Sequence, residues 1–320
     1  MGFSYGFRPG RGQHDALDAL SAALFRNRVH CVLDMDIQQF FDRCDHDWMM
    51  RFIAHRVSDK RVLCLIRRWL KVGVRDPNTG RRHPSATGIP QWAVISPLLG
   101  NIYLHYVMDL WVARHRRKTR GRISVIRYAD DAMLCFEHPQ EARVWREALE
   151  ARLQQFGLTL HLDKTQLIAF GTGAARSLAR TGQRCGTFHF LGFTHYMGKS
   201  FKGKWIVKRK TQRSRLVRSL KQTRRELMGP RLHAPIAKTG AWLRSVVQGH
   251  MNYYGVPLNF RSLSVFVWEV IKSWLKALRR RSQRSRMVWS RFSWVVKQWI
   301  PRVRITHPYP TQRFDAKYSR

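Results

Sequence analysis

The sequence predicts an α+β protein in two parts, with residues 1–200 mixing strands and helices and residues 201–320 basic and helical. Three observations predict it. Apolar runs with strand character alternate with helical periodicities as far as about residue 207, and from Thr211 onward only the helical period remains. Charge changes at nearly the same place. Residues 199–320 hold 30 of the 59 basic side chains against three acids, Glu226, Glu269 and Asp315, a formal +27 that leaves +12 for the rest. With 44 % apolar residues, each part can bury its own core.

Taken in order, His30 to Ile37 reads as a buried strand ending in acid. Asp45 caps a helix reaching about Val57, and Asp59 caps another whose Val62, Leu65, Ile66, Trp69 and Leu70 fall on one face, with Gly73 as its stop. Ser96 and Pro97 are N-cap and first-turn residue types. Leu98, Leu99, Ile102, Tyr103, Tyr106, Val107 and Leu110 then form an apolar stripe. Residues 123–128 and 132–136 are two strands of a hairpin with Asp130-Asp131 between them. Pro139 opens a helix stopped by Gly157, short strands follow at 158–162 and 166–170, and 171–186 is a Gly-, Arg- and Thr-rich loop or insertion. Strands at 188–193 and 204–207 precede helices at 215–227, 240–253, 262–278 and 287–299.

The formal charge of +39, with a pI near 11.5, repels itself unless a polyanion neutralises it, and nucleic acid is the usual partner. A membrane surface is not expected: every apolar run is broken well before the ~20 residues of a bilayer span, and no polybasic amphipathic anchor stands apart. The start shows no signal-peptide pattern. The cysteines, Cys31, Cys44, Cys64, Cys135 and Cys185, are odd in number and widely spaced. They suggest free thiols in a reducing compartment, not a disulfide framework or zinc knuckle.

Asp36 ends a strand, and Asp130-Asp131 occupy a hairpin turn. Nucleotidyl transfer needs two hard cations roughly 4 Å apart on a rigid platform, and carboxylates at strand ends provide one. Adjacent aspartates are also ordinary turn residues; here apolar strands flank the pair and Tyr128-Ala129 precedes it. Tyr128-Ala129-Asp130-Asp131 resembles the Tyr-x-Asp-Asp box of reverse transcriptases. Further blocks resemble those of group II intron reverse transcriptases, in the same order. They are Ser4-Tyr5-Gly6-Phe7-Arg8-Pro9-Gly10-Arg11, Asp34-Met35-Asp36-Ile37-Gln38-Gln39-Phe40-Phe41-Asp42, Pro90-Gln91 through Ser96-Pro97-Leu98-Leu99-Gly100-Asn101-Ile102-Tyr103, Leu162-Asp163-Lys164-Thr165, and Phe188-His189-Phe190-Leu191-Gly192-Phe193.

The resemblance implies a reverse transcriptase palm with partial fingers, followed by an α-helical thumb and maturase region. It implies that Asp36 and Asp130 hold two Mg²⁺ ions with Asp131 beside them. Phe41 would be the steric gate against a ribose 2′ hydroxyl, Gln91 would contact the incoming deoxynucleoside triphosphate, and Lys164 would approach its phosphates. Phe188, Leu191, Gly192 and Phe193 would form the primer grip. Each has a plainer reading: Phe40 or Phe41 as core, Lys164 as a solvated lysine, the Phe-x-Phe-Leu run as buried strand.

In the second part, Lys208, Arg209 and Lys210 lead into Arg213, Arg215, Arg218, Lys221, Arg224 and Arg225, mostly at spacings of three or four, which lines a helix face with cations able to track phosphates. Gly249-His250-Met251-Asn252-Tyr253-Tyr254-Gly255-Val256 resembles the maturase signature, its aromatics suited either to stacking on unpaired bases or, with Trp242 and Val246, to core packing. Trp268, Trp274, Trp289, Trp294 and Trp299 read as core. His307-Pro308-Tyr309-Pro310 with Arg313-Phe314 also looks like the family's tail.

Two features depart from the family. The chain begins at the second block, as an N-terminally truncated member would, and Pro90-Gln91-Trp92-Ala93 stands where the family has Pro-Gln-Gly-Gly. An indole at Trp92 would crowd the nascent base pair. Gln38 also replaces a common lysine. The expectation is an RNA-directed DNA polymerase and maturase acting in group II intron splicing and retrohoming in the cytoplasm. Its partners would be intron RNA and a DNA target or primer, with oligomeric state left open. The alternatives are a non-polymerising maturase and an inactive truncated remnant.

Overall fold

The computed structural model describes residues 1–72, 87–90, 93–282 and 287–318, with the backbone alone at 74–75 and 82–83. The order begins with helix α1 (Gln13–Arg26), strand β1 (Cys31–Met35) and helices α2 (Phe40–Arg43), α3 (His46–Ala54) and α4 (Lys60–Lys71). The short strands β2 (Val74–Arg75) and β3 (Arg82–His83) follow. Helix α5 (Ser96–Leu104) then runs through a π-helical turn, His105–Asp109, into α6 (Leu110–His115). Next come β4 (Ile123–Tyr128), β5 (Asp131–Phe136), α7 (Pro139–Gln154), β6 (Gln166–Ala169), α8 (Thr172–Arg180), β7 (Phe188–Phe190), β8 (Phe193–Lys199) and β9 (Trp205–Thr211). Helices α9 (Arg213–Met228), α10 (Ile236–Tyr254), α11 (Phe260–Arg280), α12 (Trp289–Trp299) and α13 (Pro310–Tyr318) complete it.

Two compact units emerge: residues 1–190 with 196–207, and residues 191–195 with 208–320. The first is built on an antiparallel sheet of order β4-β5-β1-β6. β1 is apolar except at Asp34 because it lies between two partners, and Leu33, opposite both Leu134 and Leu167, is fully buried. Helix α7 packs on β1, β5 and β6 through Trp145, Leu149 and Leu153, joined by Tyr103, Leu104 and Val107. In the second unit Leu243, Val247, Met251, Phe266, Val270, Trp274 and Phe292 form a separate core. Strands β7, β8 and β9 make a three-stranded sheet.

The aspartate caps at two helix starts hold. Asp45 accepts the Trp48 amide at 2.8 Å and Asp59 accepts that of Arg61 at 2.8 Å, capping α3 and α4. Helix α3 ends at Ala54, short of Val57, and Gly73 lies outside the described residues.

Several expectations give way. On α4 only Ile66 and Leu70 are buried, while Val62, Leu65 and Trp69 are exposed. Ser96 lies inside α5, its hydroxyl donating to the Pro90 carbonyl at 2.5 Å and not capping the helix. Residues 158–162 contribute one bridge, Leu160 to Ile37, and no strand. The loop at 171–186 contains α8. The strand at 188–193 breaks at Leu191 and Gly192, whose φ values of 45° and 79° turn the chain between β7 and β8. Helices α1 and α13 lie where the sequence reading places no element. All five cysteines are free, with Cys31, Cys44 and Cys135 buried.

Candidate active site

Strand register brings the acids together. β1 and β5 pair with Met35 opposite Ala132, so one step further along places Asp36 beside Asp131. The β4–β5 hairpin closes with Tyr128 opposite Asp131, leaving Ala129 and Asp130 as its turn. Ala129 has φ of 55°, a left-handed conformation that costs a Cβ-bearing residue roughly 1–2 kcal/mol. Something must hold it there.

Asp34 lies two residues before Asp36 and so on the same face of its strand. Burial first, and then the charges of Asp131 and Asp36, push the Asp34 carboxyl up to about 7. Burial also raises Asp130. A hydrogen bond from its own backbone opposes that rise, the charge of Asp36 adds to it, and the guanidinium of Arg127 opposes it. Four carboxylates therefore share one field, in which ionising one resists ionising the next.

The segment after α7 closes on Asp36. The His161 amide donates to the Asp36 carbonyl at 2.9 Å, and Thr165 is within 3.4 Å of both the Asp36 amide and its carbonyl. Lys164 extends its Nζ to 3.3 Å from Asp36 Oδ2, with the lysine side chain well exposed. Among the described residues no group of three or more His, Cys, Asp or Glu side chains is arranged to hold a metal ion. In donor chemistry the aspartates fit a hard cation: they offer carboxylate oxygens only, in a field negative enough to draw the Lys164 ammonium to Asp36.

Phe40 is core, 3 % exposed, while Phe41 is half-buried with its ring edge-on to that of Phe40 at 5.0 Å. Gly100 allows both rings in, since a Cβ there would lie 3.0 Å from Phe40 Cε1 and 3.2 Å from Phe41 Cε1. The Phe41 carbonyl accepts the Ile89 amide at 2.6 Å. Gln38, in place of the common lysine, accepts the Thr159 hydroxyl at 3.3 Å. Gln91 and Trp92 lie outside the described residues.

The expected primer-grip residues divide between the units. In the first, Phe188 is buried and edge-on to Phe170 at 4.8 Å. In the second, the Leu191 carbonyl accepts the Tyr253 hydroxyl at 2.9 Å, the Gly192 carbonyl accepts the Gln212 amide at 2.9 Å, and Phe193 is fully buried, stacked on Tyr253. Gly192 serves for its positive φ and its closeness to Tyr254, whose Oη a Cβ would meet at 3.1 Å. The aromatics of the maturase-like signature are thus structural: Tyr253 braces this turn, His250 stacks on Phe266 at 3.6 Å, and Trp242 and Val246 pack against the core.

Lys210, Arg215, Arg218, Lys221 and Arg225 are exposed and Lys208 is half-buried. Arg209 corrects the expectation of an outward cation: it is 5 % exposed, its guanidinium 5.9 Å from the Phe193 ring centre, because strand alternation turns it inward. Of the tryptophans read as core, Trp274 is fully buried and Trp299 packs against the core, but Trp268, Trp289 and Trp294 are 49 %, 44 % and 75 % exposed.

Sequence reasoning also missed Asp34, although the two-residue strand period pairs it with Asp36. It missed Arg127 as well, which reads as one more basic residue until its partners are known.

Residues 1–195 match the model of the family described as reverse transcriptase (RNA-dependent DNA polymerase). Protein YkfC of Escherichia coli K12 is 30 % identical over 195 residues, 51 % of this chain and 51 % of that protein. The group II intron-encoded protein LtrA of Lactococcus lactis subsp. cremoris is 33 % identical over 115 residues, 36 % of this chain and 18 % of LtrA. An uncharacterized 91 kDa protein in the cob intron of Schizosaccharomyces pombe is 38 % identical over 104 residues, 32 % of this chain and 12 % of that protein. The alignments thus span about half the length of these relatives or less. Among solved structures, telomerase from Candida albicans with a fragment of telomeric RNA aligns at a TM-score of 0.45 and 14 % identity, over 92 % of this chain and 51 % of that one.

Proposed function

Because the chain belongs to the reverse transcriptase (RNA-dependent DNA polymerase) family, we propose that it extends a DNA primer on an RNA template and binds intron RNA as a group II intron maturase. The observation that carries the reading is the meeting of Asp36, Asp130 and Asp131 at one end of the sheet, beside an Asp34 that burial first, and then the charges of Asp131 and Asp36, raise to about 7. Two Mg²⁺ ions held by Asp36 and Asp130, with Asp131 beside them, would supply the Lewis acidity for attack of a primer 3′ hydroxyl on a deoxynucleoside triphosphate.

The chain's own groups divide the remaining work. Lys164, on an exposed side chain tethered at Asp36, neutralises triphosphate oxygens. Phe41, half-buried on the Phe40 ring, excludes a 2′ hydroxyl, and Gln91 contacts the incoming nucleotide. The Leu191-Gly192 turn, braced by Tyr253, positions the primer end. The exposed cations of α9, with Lys208 and Lys210 ahead of them, track the phosphates of intron RNA or of the DNA target. Free, largely buried thiols suit a reducing, cytoplasmic setting.

Primer extension on an RNA template tests the synthesis. It should require Mg²⁺ and disappear in Asp130→Ala, and extension unchanged in that variant would remove the assignment. The second reading, a maturase that binds intron RNA without synthesis, draws on Trp92-Ala93. Activity only after Trp92→Gly with Ala93→Gly would favour it.

A further inference from the structure

The left-handed Ala129 is held from below by one buried side chain. Arg127 is 1 % exposed, and its five N–H donors meet five acceptors. Nε donates to Asp109 Oδ1 at 2.8 Å and Nη2 to Asp109 Oδ2 at 2.7 Å and to the Ser4 hydroxyl at 2.9 Å. Nη1 donates to Asn101 Oδ1 at 3.1 Å and to the Ala129 carbonyl at 2.7 Å. We propose that Arg127 is a positioning residue for the carboxylate turn: its guanidinium, clamped by Ser4, Asn101 and Asp109, fixes the Ala129 carbonyl and so sets where Asp130 and Asp131 point. This inference rests on the reading of Asp36, Asp130 and Asp131 as the reaction centre.

The clamp is built from segments far apart in sequence, each aimed at the turn. Residues 3–5 lie parallel along β4, with the Arg127 amide donating to the Phe3 carbonyl at 2.9 Å and the Tyr5 amide to the Arg127 carbonyl at 2.8 Å. The next residue, Gly6, passes so close that a Cβ would collide with the Ala129 backbone nitrogen. Asn101 ties these parts together, donating to the Gly6 carbonyl at 2.7 Å while accepting from Arg127. Asp109, 2 % exposed, comes from the π-helical turn, a rare irregularity found frequently at functional sites. Burial opposes the Asp109 charge, yet the nearby His105, its Nδ1 3.7 Å from Oδ2, and the hydrogen bonds and charge of Arg127 hold its carboxyl below the usual range. The pair therefore stays ionised and the fork stays planar and fixed.

Stability alone does not require this arrangement, since a buried ion pair can often be replaced by apolar groups without loss. What an apolar pair cannot supply is the fifth bond, the one to Ala129. Lysine keeps the charge but lacks the five-donor fork, and so cannot span Asp109 and the turn together.

Three variants test the idea, each followed by thermal melting, RNA affinity, primer extension and binding of Mn²⁺ alone measured by electron paramagnetic resonance. They are Arg127→Lys, the double replacement Arg127→Met with Asp109→Leu, and Asp130→Ala. The double replacement removes the buried pair together and keeps the test open should Arg127→Lys fail to fold. The expected result is a folded double variant with RNA affinity within twofold of the parent, Mn²⁺ affinity at least tenfold weaker and kcat for extension lower by ten- to a hundredfold. A folded double variant with parental Mn²⁺ affinity overturns the proposal, whether or not the parent extends primers. If Asp130→Ala loses Mn²⁺ and extension while the Arg127 variants keep both, positioning alone fails. If Asp130→Ala keeps them, the reaction centre itself is misassigned.

Discussion

The first unit buries the Arg127–Asp109 pair and crowds four carboxylates at one end of its sheet, whereas the second turns most of its cations outward around an apolar helical core. In the first, electrostatics acts over a few ångströms in a partly dry site, so geometry decides its value. In the second, it acts through solvent as a sum over many exposed groups, screened by salt and tolerant of single losses. The proposed function assigns chemistry to the first arrangement and non-covalent grip to the second.

The sharpest break in that contrast is expected from the carboxylates. Asp36→Ala or Asp130→Ala should lower primer extension by about 10²–10³-fold or more, the scale of removing one charge-organising group from a site, while RNA affinity changes little. Filter binding beside extension measures both. A parallel loss of RNA affinity would show that the two units do not divide the work as described.

Next in size is the contrast within the helical core. Trp274 is fully buried, edge-on to Phe292 at 5.4 Å, and Trp294 is 75 % exposed. Trp274→Ala should destabilise by about 3–5 kcal/mol and Trp294→Ala by less than ~0.5 kcal/mol, read from amide exchange in α11 and α12. If Trp294 stacks on RNA bases, its replacement shows instead as weaker RNA binding, by roughly 1–3 kcal/mol.

The cations of α9 come third. Replacing Arg218, Lys221 and Arg225 with Gln should weaken RNA binding about 10- to 100-fold near physiological salt and reduce the slope of log affinity against log salt by about 2. Each single replacement should cost only a share of that. A full loss from one position would mean a specific contact in place of a diffuse field.

What could be read from the sequence follows the same division between local and distant causes. The caps at Asp45 and Asp59 were legible because a helix end is a three-residue event. The acids at 36, 130 and 131 were legible because strand runs on either side fix where they must lie. The outward cations of α9 followed from helical spacing. Arg209 did not, since its burial depends on Phe193, sixteen residues earlier. Leu191 takes a positive φ that no residue type announces, and it is stabilised by Tyr253, distant in sequence. Arg127 has meaning only through Ser4, Asn101 and Asp109. Composition describes surfaces well, but it does not display a buried polar network whose members come from four segments.

The smallest effect tests whether the second unit contains a buried charge problem of its own. His250 is 8 % exposed, stacked on Phe266, with Nε2 lacking a hydrogen-bond partner, and burial pushes its pKa down to about 4. The unfolded chain takes up that proton near 6.5, so between about 6.5 and 4 the unfolded state binds more protons than the folded one. Stability from this group is therefore complete above pH 6.5 and is lost as pH falls toward 4, by about 2–3 kcal/mol. His250→Phe keeps an aromatic ring on Phe266 and removes the proton. Exchange of α10 and α11 amides at pH 7.5 and 4.5 should show the parent losing protection relative to this variant at the lower pH and not at the higher. Parallel behaviour at both would mean that the imidazole reaches water or a partner when charged. At His250 the fold would then have no interior ionisation to suppress.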